Sequence, residues 1–352
     1  MLKLNETPVR TSRNFNINNI KLEDVKIPEN FKEFKNISLN LETFKDEVKF
    51  VKNDINLTYG LSKELTNQVK NNSNYNLKID INSKTNKMIF LEFKFDEENL
   101  NLVENIFIEA KEGTKSSFII KYISEENIEF YHNGIVKVLA KENSEVNIIF
   151  VNLLNTKSHN FISIENEILD NAKLNSTIID FGGKHSISNY YSNVLGKQGE
   201  NNLNTIYLGR ENQIFDLNYI GELRGEKSTV NFEVQGALKD SSKKHFKGTI
   251  DFKRGSKKAL GNENEACMLL SDKARSLALP MLLCSEEDVQ GNHSTSSGKI
   301  GDKELFYIMS RGFDEKAAMK LMVRAKFNRI LESIKYDELK NEILYEIDKR
   351  LD

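Results

Sequence analysis

Four stretches of this chain alternate apolar and polar residues with period two, and that pattern limits the fold more than any other feature. "LVENIFIEA" alternates through Ile106, Ile108 and Ala110, and "SEVNIIFVNLL" through Val146, Ile148 and Phe150. "STVNFEVQG" does so through Val230, Phe232 and Val234, and "HFKGTIDF" through Phe246, Ile250 and Phe252. Such alternation sends one face of each strand inward and the other outward. Glycines recur beside these strands at Gly196, Gly209, Gly221, Gly236, Gly248 and Gly261, with gaps of 13, 12, 15, 12 and 13 residues. Short strands punctuated by turn glycines at near-regular spacing predict a solenoid of stacked β-coils or a large sandwich. Strand and helix do not alternate, which argues against a doubly wound α/β fold. The pattern runs from 76 to 300 without a second domain signature, which favours the solenoid.

Helical pattern is confined to the two ends. Residues 1–75 form a polar, partly helical segment; within 32–72, Phe44, Val48 and Val51 fall on one face at helical spacing. Residues 301–352 form a C-terminal helical region, expected to cap the open end of the solenoid. A helix is expected after Asp302 and ends at Gly312; Asp314 is the N-cap of the next, and "DELKNEILYEIDKRL" makes a third. Phe327, Ile330, Leu331 and Ile334 follow i, i+3, i+4, i+7 spacing, and Leu339, Ile343, Leu344 and Ile347 share a stripe. Those stripes serve either packing on the end of the solenoid or docking of a partner protein.

Composition narrows the function. A formal charge of −2 over 352 residues gives no positive field for non-specific nucleic-acid binding. No signal peptide is apparent and no window nears 18 consecutive apolar residues, so no membrane span is expected. Two cysteines, Cys267 and Cys284, suit a reducing compartment, and the expectation is cytoplasmic. No CxxC or HExxH occurs, and His132, His159, His185, His245 and His293 are scattered. "EDVQGNHSTSSGKIGDKELFYIMSRGF" (287–313) has the look of a phosphate loop, but six residues separate Gly291 from Gly298 and Ile300 follows Lys299. The metal-holding hydroxyl of such a loop is missing, so this chain is expected to bind no nucleotide. Asp216 and Glu222 would form a carboxylate pair of the kind used by a β-helix carbohydrate-active enzyme only if they faced one groove.

Four ordered blocks in the C-terminal third carry a resemblance: "HFKGTIDF" (245–252), "MLLSDKA" (268–274), "EDVQGNHSTSSGKI" (287–300) and "KELFYIMSRGF" (303–313). Together they resemble the shared core of the SufB/SufD family, the scaffold subunits of the SUF iron–sulfur cluster assembly system. The resemblance implies a right-handed parallel β-helix with α-helical ends. It also implies a non-enzymatic scaffold that pairs with a SufB-like subunit and docks a SufC-type ABC ATPase through its C-terminal helices, with Phe327, Ile330, Leu331 and Ile334 as docking residues. A transient iron–sulfur cluster would form at the subunit junction, on sulfur delivered indirectly by a cysteine desulfurase. The SufB pattern carries a cysteine at the position of Glu265 and a glutamate at that of Ser294, so the chain is nearer to SufD. Some SufD proteins carry a cysteine where Gly291 stands, whereas His293 matches the motif histidine and is the candidate metal ligand. Cys267 and Cys284 are weaker candidates. A divergent SufB-like or self-pairing scaffold using Cys267 in sulfur transfer is the alternative.

Overall fold

The computed structural model describes residues 1–11, 17–29, 31–40, 48–51 and 56–352, with the side chains of residues 48 and 85–87 left aside. Two sheets dominate. The first stacks β6 (Lys84–Phe95), β8 (Lys115–Ser124), β10 (Glu145–Leu153), β12 (Lys173–Asp180), β14 (Glu200–Gly209), β16 (Thr229–Leu238), β18 (Leu260–Leu269) and β20 (Gln290–Lys299). The second stacks β5 (Tyr75–Ile81), β7 (Asn101–Ala110), β9 (Tyr131–Ala140), β11 (His159–Ile168), β13 (His185–Val194), β15 (Ile214–Leu223), β17 (Lys243–Phe252) and β19 (Arg275–Cys284). All of these neighbours are parallel. The chain therefore crosses from one sheet to the other and back in each of eight coils, and the expected parallel β-solenoid is what forms.

Register fixes the coil length. Glu145 lies beside Lys173, Lys173 beside Glu200 and Glu200 beside Thr229, so one coil takes just under thirty residues. The glycine spacing in the sequence was half of that. Most of those glycines do not sit in turns: Gly221, Gly236, Gly248 and Gly261 lie inside strands. A Cβ at Gly236 would fall 1.8 Å from the Tyr207 ring, so this strand interior is glycine because a side chain from the preceding coil fills its space. The corners instead place Asn143, Asn171, Gln198, Glu211, Lys227, Asp240 and Lys258 at positive φ.

Inward residues such as Leu77, Ile106, Val136, Ile164, Tyr190, Leu217 and Phe246 form one continuous lumenal core. Both outer faces are also covered. Leu2, Leu4, Ile20, Leu22, Leu61, Leu65 and Val69 pack on Val103, Tyr131, Ile135, Phe161 and Ile187 of the β5-to-β19 sheet. They come from the antiparallel pair β1 (Leu2–Leu4) and β2 (Ile20–Leu22), from Leu61, and from helix α1 (Lys63–Asn72), which Ser62 caps. Asn5 anchors this layer: its side chain donates to Asp216 Oδ1 at 2.7 Å, and its carbonyl accepts from Lys247 Nζ at 3.0 Å.

The helical expectation for 32–72 is corrected in part. Helix α1 begins only at Lys63, Val48 belongs to strand β4 (Val48–Lys49), Val51 is in irregular exposed chain, and Phe44 lies outside the described residues. Strands β3 (Ile37–Leu39) and β4 pair antiparallel with β6 and β5, closing the first coil of both sheets.

The C-terminal helices form at the expected places. They are α2 (Asp302–Met309), α3 (Glu315–Leu331) and α4 (Asp337–Leu351), and Asp314 accepts a hydrogen bond from the Ala317 amide as the N-cap of α3. Their position differs from expectation. Helices α3 and α4 do not cap the end of the solenoid; they lie along its flank, over Ile119, Val151, Ile179, Ile206 and Ala237 of the β6-to-β20 sheet. Apolar side chains on the outward face of that sheet need this cover.

Candidate functional site

With its flanks covered and its first coil closed, the solenoid is bare at the last coil. Strand β20 is the outermost strand of its sheet and β19 of the other. Every residue of β20 is exposed, His293 included. Small polar residues dominate the strand, which leaves its backbone accessible.

The inward line of β18 reads Gly261, Glu263, Glu265 and Cys267, all buried. Register sets His293 beside Glu263, Thr295 beside Glu265 and Ser297 beside Cys267. Lys244 of β17 is fully buried and reaches Glu265, with Nζ–Oε1 at 2.8 Å. The Tyr207 hydroxyl donates to the same oxygen at 2.9 Å. Neither oxygen of Glu263 has a hydrogen-bond partner, nor does Glu265 Oε2. Gly248 provides the room, since a Cβ there would meet the Glu263 carboxyl at 2.5 Å.

The electrostatics follow from this burial. Desolvation, reinforced by Glu265 and opposed by Lys244, pushes the Glu263 carboxyl up to about 8. It therefore carries its proton at neutral pH. Burial also raises the Cys267 thiol, against the pull of Lys244, so the closed chain holds a thiol rather than a nucleophilic thiolate there.

The three candidate ligands are not gathered together. His293 is level with Glu263 whereas Cys267 is level with Ser297, four residues along, or about 13 Å at strand rise. Cys284 is exposed on β19, and its thiol donates to the Glu286 carbonyl at 2.9 Å. Among the described residues no group of three or more His, Cys, Asp and Glu side chains could hold a metal. What the end of the solenoid offers is one exposed imidazole above a neutral, unpartnered carboxyl. Sequence reading missed Glu263 and Lys244 and took Glu265 only as a departure from the SufB pattern; charged residues at inward positions of an alternating strand were the signal.

The carbohydrate-enzyme pair does not exist. Asp216 is buried on the outer face of β15, held by Lys247 at 2.6 Å, while Glu222 binds Lys253 at 3.4 Å and Arg224. Five residues of extended strand lie between the two.

The proposed docking stripe is also corrected. Phe327, Ile330, Leu331 and Ile334 are at most 4% exposed, buried against the chain's own sheet. Packing consumes them. The most exposed aromatic side chains near this end are on and around α2, with Phe306 72% exposed, Tyr307 59% and Phe313 46%; Leu260, Leu277 and Leu282 are exposed on the last coils. Helix α2 buries none of its residues.

Comparison with known proteins finds a family and relatives for this chain. Residues 93–326 match the family described as SUF system FeS cluster assembly, SufBD core domain. The iron–sulfur cluster assembly protein SufD of Bacillus subtilis is 23% identical over 252 residues, covering 71% of this chain and 58% of the relative. A SufBD family protein of Pyrococcus horikoshii is 29% identical over 206 residues, covering 58% of this chain and 45% of the relative. SufD of Escherichia coli is 20% identical over 245 residues, covering 69% and 58%. The chain thus spans about half of the length of the relatives it matches. No described helix is long and apolar enough to cross a membrane. With the family match spanning most of the eight-coil solenoid and its bare last coil, the chain belongs to the SufBD core family of the SUF iron–sulfur cluster assembly system.

Proposed function

We propose that this chain is a SufD-like scaffold subunit for iron–sulfur cluster assembly in the cytoplasm. Its bare end, β19 and β20, pairs with a SufB-like subunit. His293 then faces the junction, where the nascent cluster is the cargo and sulfur arrives from a cysteine desulfurase by way of the partner. A neutral imidazole is a competent iron ligand. The observation that carries this reading is the fully exposed His293 strand beside the buried, unpartnered Glu263. A SufC-type ATPase supplies the nucleotide chemistry and docks on the exposed Phe306, Tyr307 and Phe313 surface rather than on the buried α3 stripe. The self-pairing alternative needs a reactive Cys267, which burial opposes.

The test is co-expression with the SufB-like subunit and SufC-type ATPase of the same genome, with masses from light scattering. Wild type should form a three-protein complex. Phe306→Glu should release the ATPase and keep the SufB-like partner. His293→Ala should assemble normally yet lose cluster absorbance on reconstitution. A chain that stays alone beside well-folded partners refutes the scaffold reading. If His293→Ala reconstitutes like wild type while Cys267→Ser does not, the Cys267 alternative holds instead.

A further inference from the structure

A second polar group lies inside the lumen, nearer the first coils, and the function proposed above does not use it. Glu104 of β7, His132 of β9, Asn160 of β11, Ser186 of β13 and Asp180 of β12 are each at most 3% exposed. They form a row. His132 Nε2 lies 3.2 Å from Glu104 Oε1, and His132 Nδ1 lies 2.6 Å from Asn160 Oδ1. The Asn160 amide donates to Ser186 Oγ at 3.1 Å, and Ser186 Oγ donates to Asp180 Oδ2 at 2.8 Å. Tyr122 donates to Glu104 Oε1, and Asn152 Nδ2 donates to Asp180 Oδ1 at 2.8 Å.

Two carboxyl groups are thus joined through an imidazole, an amide and a hydroxyl. Each of the three joining groups can present a donor on one side and an acceptor on the other, and each can reverse. The row has two satisfied senses. In the first, Glu104 carries a proton and donates to His132 Nε2, Nδ1–H donates to the Asn160 carbonyl, the amide N–H donates to Ser186, and the hydroxyl donates to ionised Asp180. In the second, Asp180 carries the proton and donates to Ser186, which donates to the Asn160 carbonyl. The turned amide then donates to Nδ1, and Nε2–H donates to ionised Glu104. Both senses hold the same number of protons and one negative charge. Around a neutral His132, ionising both ends leaves a lone pair facing a carboxylate.

We infer that Glu104 and Asp180 are a coupled carboxyl pair, in which the state of one sets the tautomer of His132 and, through Asn160 and Ser186, the state of the other. Among the described residues no lysine or arginine pairs with either carboxyl to pin its charge. The groups that face Glu104 are His132 and the Tyr122 and Tyr75 phenols; those that face Asp180 are Ser186, Asn152, the Gly182 amide and the Tyr219 phenol. Burial pushes Asp180 up to about 7, so the proton it holds in the second sense is available near neutrality. The coupling spans three coils of a scaffold, so a change at one carboxyl is registered two coils away without backbone motion.

Side-chain ¹⁵N spectra of the full chain test this through the tautomer of His132. Wild type should show Nδ1–H, the sense in which the amide is placed. Asp180→Asn offers a permanent donor to Ser186 and should convert His132 to Nε2–H; adding Asn160→Leu should abolish that conversion. An unchanged tautomer in Asp180→Asn, or a conversion that survives Asn160→Leu, overturns the inference. Should a variant not fold, carboxyl ¹³C titration of wild type decides: coupled groups share two inflections, whereas two independent single inflections overturn the pair.

Discussion

Replacing Glu263 with glutamine tests the electrostatics of the bare end directly. The native carboxyl keeps its proton up to about pH 8, whereas its ordinary value of 4.5 governs the unfolded chain. Between those limits the native state holds one proton more than the unfolded state. Stability therefore falls as pH rises through the window, by up to ~1.4 kcal/mol per pH unit. From pH 5 to pH 8 the Glu263 contribution amounts to on the order of 4 kcal/mol, all of it lost on the alkaline side. Glutamine keeps the shape and carries no titrating proton. The measurement is urea denaturation of both proteins at pH 5, 6, 7 and 8, reading the difference in unfolding free energy. Other buried acids such as Asp180 slope in the same direction, and the difference between the two proteins cancels them. Glu263→Gln should gain on wild type steadily towards pH 8. Parallel profiles would mean that Glu263 is solvated or paired in solution, and the neutral carboxyl beneath His293 would be refuted.

Phe327→Ala should cost about 3–5 kcal/mol, because the ring is fully buried between α3 and the sheet. Phe306→Ala, at a site 72% exposed, should stay within about 0.5 kcal/mol of wild type by the same denaturation assay. Gly236→Ala should lower the unfolding free energy by about 1–3 kcal/mol through overpacking, since its Cβ would overlap the buried Tyr207 ring. A fully stable Gly236→Ala protein would show that the ring has other space to occupy.

Strand identity was legible in the sequence because Ile106, Ile108 and Ala110, or Val230, Phe232 and Val234, repeat with the period of a pleated chain facing one core. The helices α3 and α4 were legible for the same reason, through a 3.6-residue period and the Asp314 cap. Their seat was not. A stripe such as Phe327, Ile330 and Leu331 records that a face is buried, and says nothing about which surface buries it. The answer lay in Ile119, Val151, Ile179 and Ile206, outward residues whose apolar character only acquires meaning once register lines them up across coils. Gly236 and Gly248 misled for a related reason: a glycine required by a neighbouring coil looks, along the chain, like a glycine required by a turn. The candidate site was half legible. His293 stood out as a motif residue, whereas Glu263 and Lys244 became neighbours only across the lumen.

The cover around the solenoid is the reason for proposing the last coil as the place where a partner binds. The N-terminal layer occupies one outer face, α3 and α4 occupy the other, and β3 and β4 run antiparallel along the first coil. A parallel solenoid left uncapped presents two rows of unpaired backbone groups, a liability that proteins ordinarily cover. Of the two edges, β20 is built from residues such as Gly291, Ser294, Ser296 and Ser297, small and polar and open enough for another backbone to approach, while β19 exposes Leu277 and Leu282. Directly inside these edges the lumen changes from packed aromatic and aliphatic residues such as Phe232, Phe246 and Ile250 to Glu263, Glu265 and Lys244. An apolar plug would have stabilised a lone chain better than a carboxyl with no partner. A neutral acid retained at that depth, under a strand of mostly small polar residues that carries a histidine, supports the proposal that this end is completed by something polar from outside.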